Sequence, residues 1–320
     1  MIDVSVIIPC FNAAPWIREA LESVLRQEPG AGIEVVVVDD GSTDGSAGII
    51  REHFPAVQVV SIPNSGPSRA RNTGTKLARG EFLQYLDADD LLCPGKIRVQ
   101  LEALRASGAD IAYGGWQKLT LSGDGTPQIS APIDRTITDP EIELFTDFWA
   151  PPAAYLFRRT IVEKTGGWNE RLPVIQDARF VLDCALRGAR FVHCPGLMAS
   201  YRSHTTGSVS TGSSRAFMRD CFNNAREIEA WWLAHGGISP ARKQALLKVY
   251  GFVARGSFGE DREMFNDAYA TLLKFDPRYI PERPRGLRAL SRLVGYRHAE
   301  YCAMKYRMVK KLVLGGGAHV

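Results

Sequence analysis

The sequence predicts an α/β fold: a mostly parallel sheet with helices on both faces, followed by a helical C-terminal region. Three observations predict it. From Val4 to Leu86, β-branched runs alternate with segments of helical spacing; the runs are apolar almost throughout, as strands buried on both faces are; and after residue 212 the spacing is helical.

Val4 to Ile8 and Glu34 to Val38 read as strands, with a helix between them over Ala14 to Gln27, where Ile17, Leu21, Val24 and Leu25 fall on one face. Val57 to Ile62 is a third strand. A helix opened after Pro67 covers Ser68 to Ala78, and Phe82 to Leu86 is a fourth strand. Beyond Pro94 come a helix at Lys96 to Ser107, a strand at Ile111 to Gly114, a helix near Glu141 to Phe148, an extended segment at Ala153 to Arg158 and a helix at Asp177 to Gly188. Residues 205 to 214 are small and polar and read as a mobile loop. Helices follow at Phe217 to His235, Pro240 to Arg255 and Asp261 to Phe275, then a basic stretch from Leu287 to Leu314. The expected domains are therefore 1–212, made of a nucleotide-binding half (1–95) and an acceptor half (96–212), and 213–320.

Net charge is +4, but it is unevenly placed. Residues 281–320 hold nine basic side chains against Glu282 and Glu300, which leaves 30 basic against 33 acidic in the rest. A basic nucleic-acid binder is therefore not indicated: the part with the chemistry is slightly acidic. No apolar run reaches the roughly 20 residues of a membrane-spanning helix, and the N-terminus enters a strand pattern directly, so the expectation is a cytoplasmic protein. The six cysteines are scattered singly without a CxxC pair, as buried thiols in a reducing compartment are.

In open α/β sheets ligands bind beyond the carboxyl ends of the strands. There the sequence places PCFN (9–12), DDGSTD (39–44), PNSGPSRARN (63–72) and DADD (87–90). Asp39, Asp40, Asp87, Asp89 and Asp90 crowd one edge, and carboxylates so placed repel unless a cation or hydrogen-bond donors offset them. The alternation Asp87-Ala88-Asp89 lets two carboxylates reach one hard cation, Mg²⁺ or Mn²⁺, that binds a diphosphate. A lone DxD is weak, because acids after strands commonly cap turns and helices. Ser68, Arg69, Arg71 and Asn72 lie at a helix start, where backbone N–H groups and arginines favour anions.

SVIIPCFNA (5–13), VVVVDDGSTDGS (35–46), GPSRARNTG (66–74) and GEFLQYLDADD (80–90) resemble, in order and spacing, the nucleotide-binding half of the inverting family 2 glycosyltransferases with the GT-A fold. No GxGxxG follows strand 1 and no GxxxxGK[ST] is present, against a dehydrogenase or a phosphate-loop protein. The resemblance implies that Pro9, Phe11 and Asn12 lie at the nucleotide, with Pro9 and Phe11 against its base. It implies that Asp39, beside Asp40, accepts from a base N–H, as for uracil. Asp87 would hold ribose or metal and Asp89 the metal that bridges both phosphates.

Further along, GGWNERL (166–172) and IQDARF (175–180) resemble that family's GGFDE turn and its later acidic pair. The resemblance makes Asp177 the base that deprotonates the acceptor hydroxyl; at a helix start Asp177 also suits an N-cap, and the two roles coexist. Gln176 stands where the family usually has Glu, which bears on acceptor choice. Tyr201-Arg202-Ser203-His204 resembles a YRxH element, implying His204 in the metal shell and Arg202 on the diphosphate, with the loop beyond ordering over donor to exclude water. Among Trp116, Trp149, Tyr155 and Trp168, Trp168 is the expected sugar-stacking residue.

The expected reaction is metal-assisted transfer from a UDP-sugar, a hexosyl or N-acetylhexosaminyl donor, to a glycan or glycolipid hydroxyl. A nucleotidyltransferase and a catalytically silent sugar-nucleotide-binding module are the rivals, the first lacking a GxGxR-type loop after strand 1. For the tail, 281–320, two readings stand: a peripheral contact with the inner face of the cell membrane, or an apolar face packed on the protein or on a second copy.

Overall fold

The computed structural model describes residues 2–27, 32–122, 126–203 and 214–314, and the chain divides into two compact units, Met1–Thr211 and Gly212–Val320. In the first unit the strands are β1 (Val4–Cys10), β2 (Ile33–Asp39), β3 (Gln58–Ser61), β4 (Phe82–Tyr85), β5 (Leu91–Leu92), β6 (Ile111–Leu121), β7 (Pro127–Ile129), β8 (Tyr155–Arg158) and β9 (Phe191–Arg202). They form one sheet in the order β3-β2-β1-β4-β8-β6-β9-β5, with β7 on β6. Its helices are α1 (Ile17–Leu25), α2 (Ser46–His53), α3 (Pro67–Leu77), α4 (Lys96–Ser107), α5 (Pro140–Thr146), α6 (Arg159–Thr165) and α7 (Gln176–Leu186).

From β3 to β4 the sheet is parallel, and its register sets the site. Cys10 pairs with Asp39 and Asp39 with Ser61, so three strands run out side by side and their following loops share an edge. Val6, Ile7, Ile8, Val36, Val37 and Val38 are buried on both faces, as the unbroken apolar runs require.

Beyond β4 the sheet becomes mixed. β8 runs antiparallel to both β4 and β6, and β5 is antiparallel to β9, while β6 and β9 are parallel. Strand β6 is far longer than Ile111 to Gly114, and its register with β9 slips at Gly114-Gly115-Trp116. A Cβ on Gly114 would meet the Cys194 carbonyl at 2.5 Å, which is why glycine permits that close approach. The β5–β9 pair, Leu91 with Ser200 and Leu92 with Ala199, carries residues 200–203 alongside the DADD turn.

In the second unit are α8 (Ser214–Ala234), α9 (Pro240–Ser257), α10 (Arg262–Phe275), α11 (Arg285–Val294) and α12 (Tyr296–Leu314). Ser239 and Asp261 cap α9 and α10 through their side chains. Trp232, Tyr250, Leu246, Val253 and Leu272 fill the core of this unit. The basic stretch is two helices rather than one, broken at Gly295, which has φ +78°. Among the described residues no helix is long and apolar enough to cross a membrane.

Candidate functional site

Where the loops after β1, β2 and β4 meet, they wall a cleft of about 750 Å³. Its first wall is a knitted pair of loops. The Asn12 side-chain oxygen accepts from the Thr43 N–H (2.8 Å), the Asn12 N–H donates to Ser42 Oγ (3.0 Å), and the Ala14 N–H donates to Asp44 (2.8 Å). Asn12 has φ +49°, a left-handed conformation that Asn tolerates better than most residues, and the side chain so placed serves as a strut. Pro9 and Phe11 line the cleft, with Phe11 half exposed at 51%.

Asp39 and Asp40, adjacent in sequence, do different things. Asp39 is buried and accepts from the Ser42 N–H (3.0 Å), holding the DDGSTD loop. Asp40 accepts from the N–H groups of Ser65 and Gly66, both at 2.8 Å, which ties the end of β2 to the loop that opens α3. Burial raises the Asp40 pKa despite these donors. Gly66 adopts φ +89° immediately before Pro67, the first residue of α3.

Arg71 points from α3 into the cleft and is 2% exposed. Its guanidinium donates to Asp87 Oδ1 at 2.5 Å and lies 4.4 Å over the Trp168 ring. The Arg71 Nε and Nη1 groups are buried without protein partners. Asp89, two residues beyond Asp87, also lines the cleft. Asp90 turns away, fully buried, and accepts from the Arg202 N–H (2.8 Å). Burial, reinforced by the charges of Asp87 and Asp89, pushes Asp90 well above the usual carboxylate range.

On the opposite side, α7 presents Asp177 in its first turn. Asp177 Oδ2 accepts from Trp149 Nε1 (2.8 Å) and Oδ1 from the Ala178 N–H (2.8 Å). Burial raises the Asp177 pKa, while these two bonds and the charge of Arg71 oppose the rise and Asp87 adds to it. Trp149 is fixed in turn by edge-on contacts with Trp116 (5.1 Å) and Tyr201 (5.3 Å). Gln176 is buried at the same helix start; in the orientation its neighbours require, its amide donates to the carbonyls of Val174 (2.9 Å) and Pro173 (3.1 Å).

Of the residues expected from the sequence, Pro9, Phe11, Asn12, Asp40, Arg71, Asp87, Asp89, Gln176, Asp177 and Arg202 line this cleft; Asp39, Ser68, Arg69, Asn72 and Trp168 do not. Ser68 is buried with its hydroxyl unpartnered, and Arg69 points outward from α3. Asn72 grips the turn after α6: its oxygen accepts from the Trp168 N–H (2.8 Å) and its nitrogen donates to the Trp168 carbonyl and to Glu170 (both 2.9 Å). Trp168 is not a sugar platform. It is 3% exposed, stacks on Phe180 at 4.1 Å and carries the Arg71 guanidinium 4.4 Å over its ring, so neither ring face is open to a sugar.

Arg202 departs from the diphosphate role as well. Its guanidinium donates to Glu19 (2.6 Å) and to the Asp89 carbonyl (2.9 Å) and lies 4.4 Å over Trp16. It therefore braces the DADD turn against α1. His204 lies outside the described residues, as do 205–213. Among the described residues no group of three or more His, Cys, Asp or Glu side chains is arranged to hold a metal. The acid pair itself fits a cation: Asp87 and Asp89 are hard oxygen donors on one cleft wall, and their charge already burdens Asp90.

Sequence reading missed the struts. Ser42, Thr43 and Asp44 were legible only as a dense polar turn, and Trp149 only as an aromatic; its bond to Asp177 spans 28 residues. Glu19, the partner of Arg202, carried no signal beyond a helix start.

The chain is similar to several known proteins. The chain is 32% identical over 261 residues to the uncharacterized glycosyltransferase EpsJ of Bacillus subtilis (strain 168), covering 77% of this chain and 74% of EpsJ. It is 38% identical over 123 residues to the succinoglycan biosynthesis protein ExoO of Rhizobium meliloti (strain 1021), 38% of this chain but 35% of ExoO. The chain thus spans about a third of the latter protein. Its fold is like that of S. aureus TarS, solved in complex with UDP-GlcNAc, with a TM-score of 0.68 and 19% identity over 96% of this chain and 92% of that one. A mannosyltransferase of Pyrobaculum calidifontis, in complex with GDP-Man and Mn²⁺, gives a TM-score of 0.51 at 19% identity over 97% and 86%. Residues 5–166, which carry the four strand-end loops, the DADD turn and Trp149, match the profile described as Glycosyl transferase family 2, and with the EpsJ match over most of both chains they make this protein a member of that family.

Proposed function

We propose that the chain transfers a sugar from a UDP-sugar to an acceptor hydroxyl with inversion, in polysaccharide or glycolipid synthesis on the cytoplasmic side. One observation carries this reading: Asp177 and the pair Asp87–Asp89 line a single cleft, together with the Pro9–Asn12 loop. TarS, the neighbour solved with UDP-GlcNAc, supports a UDP-sugar, either hexosyl or N-acetylhexosaminyl.

Pro9 and the exposed Phe11 ring take the nucleobase, while Asp39, buried and off the cleft lining, holds the DDGSTD loop in place. Asp87 and Asp89 would hold Mn²⁺ or Mg²⁺, which would supply positive charge against that growing on the departing diphosphate. Arg71, buried beside Asp87 with two unpartnered nitrogens, adds a fixed positive charge at the same place. Asp177 takes the acceptor hydroxyl proton. Its raised pKa brings a carboxylate closer to the operating pH, where a general base works best. Gln176, whose amide is turned onto the Pro173 and Val174 carbonyls, shapes the acceptor side without adding charge.

Incubating the protein with a panel of UDP-sugars and Mn²⁺ and measuring UDP release tests the reading. Release from one or a few donors, abolished by chelation, is expected. Tight nucleotide-sugar binding with no release in the presence of any acceptor would instead indicate a silent binding module.

A further inference from the structure

The two C-terminal helices pack by one face only. Leu287 and Ser291 of α11, and Tyr296, Ala299 and Glu300 of α12, are buried within the second unit. Glu300, the one acid between residues 285 and 309, accepts from Arg307 at 2.7 Å, so the exposed charge of these helices is all of one sign. On α11 the outward positions Arg285, Arg288 and Arg292 follow at intervals of three and four, which sets them in one stripe along the helix. Beside that stripe Leu293 is 82% exposed, and on α12 Tyr301 and Tyr306 are also exposed, at 52% and 68%.

Among the described residues no acid pairs with the arginines of this row, and the exposed Leu and Tyr side chains of the same two helices add apolar surface that a partner can cover. The combination of guanidinium groups with outward Leu and Tyr selects that partner. A lipid bilayer with anionic headgroups takes up the arginines, and its interfacial region takes Tyr and Leu side chains to shallow depth. A second copy of this chain would bring a like-charged row against its own, with no exposed acid on these helices to meet it.

We infer that the outer face of α11–α12 binds the surface of an anionic lipid bilayer, lying in its interface rather than crossing it. Attraction arises from the arginine stripe, and Leu293 and Tyr306 insert between headgroups. This binding is independent of the transfer reaction and persists without donor or metal.

Flotation of the full-length protein with vesicles of phosphatidylcholine alone, and with vesicles containing phosphatidylglycerol, tests the inference. The protein should float with the anionic vesicles at low salt, stay behind with the neutral ones, and be released by high salt. R285E/R288E/R292E should weaken recovery on anionic vesicles by roughly 100-fold or more, from three charges each worth about a fivefold change. R285K/R288K/R292K should float like the parent. Melting curves of all three proteins should coincide, since the stripe is exposed. Equal recovery on neutral and anionic vesicles, no recovery on either, or full recovery of the charge-reversal variant would overturn it. So would light scattering that finds a dimer broken by the reversal and no vesicle binding, which would make the face a contact between copies.

Discussion

The Trp149 indole N–H donates to Asp177 Oδ2 at 2.8 Å, the only side-chain hydrogen bond to that carboxylate among the described residues. The bond favours the ionised form against the burial that disfavours it. Trp149 therefore fixes the Asp177 carboxylate and opposes the burial that would protonate it, as the proposed role of base requires.

Replacing Trp149 by Phe keeps the packing against Trp116 and Tyr201 and removes the N–H. With an opposing influence gone, the Asp177 pKa rises further, so the acidic limb of the kcat/KM profile moves to higher pH and activity near neutrality falls by about tenfold, the worth of one hydrogen bond to a charged group. A pH–rate series on wild type and W149F checks this; a lowered but unshifted profile would reduce Trp149 to a packing residue.

Trp168, buried between Arg71 and Phe180, belongs to the structure and not to the sugar site. Truncation to Ala should cost about 3–5 kcal/mol in denaturant unfolding. Phe in its place should leave the KM for donor and acceptor within a few fold. A large, selective rise in acceptor KM for W168F would restore the stacking role.

The Asn72 clamp offers a third check. Asn72→Ala removes three hydrogen bonds to the 167–170 turn and should destabilise by about 2–3 kcal/mol. Gly167→Ala should do at least as much harm, because Gly167 has φ +85° and an added Cβ would meet the Asn72 oxygen at 2.6 Å.

Much of residues 1–95 was legible because their loops follow from strand ends, which apolar runs mark clearly: β1, β2 and β4 ended within two residues of expectation and their loops converge. Helix α2 was missed because Ser46–His53 offers little beyond Ile49 and Ile50 as apolar spacing. Residues 96–212 were harder. Their antiparallel pairings and the β6–β9 slip depend on contacts between residues far apart in sequence, such as Trp116 with Ala199. Asn72 and Trp168 illustrate the same limit: each has a residue type suited to ligand binding, and each is instead occupied by a partner 96 residues away or by a neighbouring ring.

Lys96 gives the stability of the fold a pH dependence. It is fully buried in α4, donates to the Tyr155 carbonyl at 2.7 Å, and burial lowers its pKa well below the usual lysine value of 10.5. The unfolded chain then binds a proton that the folded chain does not, between the lowered folded pKa and 10.5. Stability therefore rises with pH across that window, by up to about 1.4 kcal/mol per pH unit. Chemical denaturation at neutral and alkaline pH should find this rise in the wild type and lose it in K96M.

The central claim is that Asp177 serves the chemical step while Asp87 and Asp89 serve the donor diphosphate. Kinetics of Asp177→Asn, with donor affinity measured separately by titration, tests it most directly. With Asp177 as the base, kcat should fall by roughly 10²–10⁴-fold, as loss of a general base does, while UDP-sugar binding with Mn²⁺ stays within a few fold of wild type. Retained turnover in that variant, or loss of donor affinity in proportion to loss of rate, would contradict it.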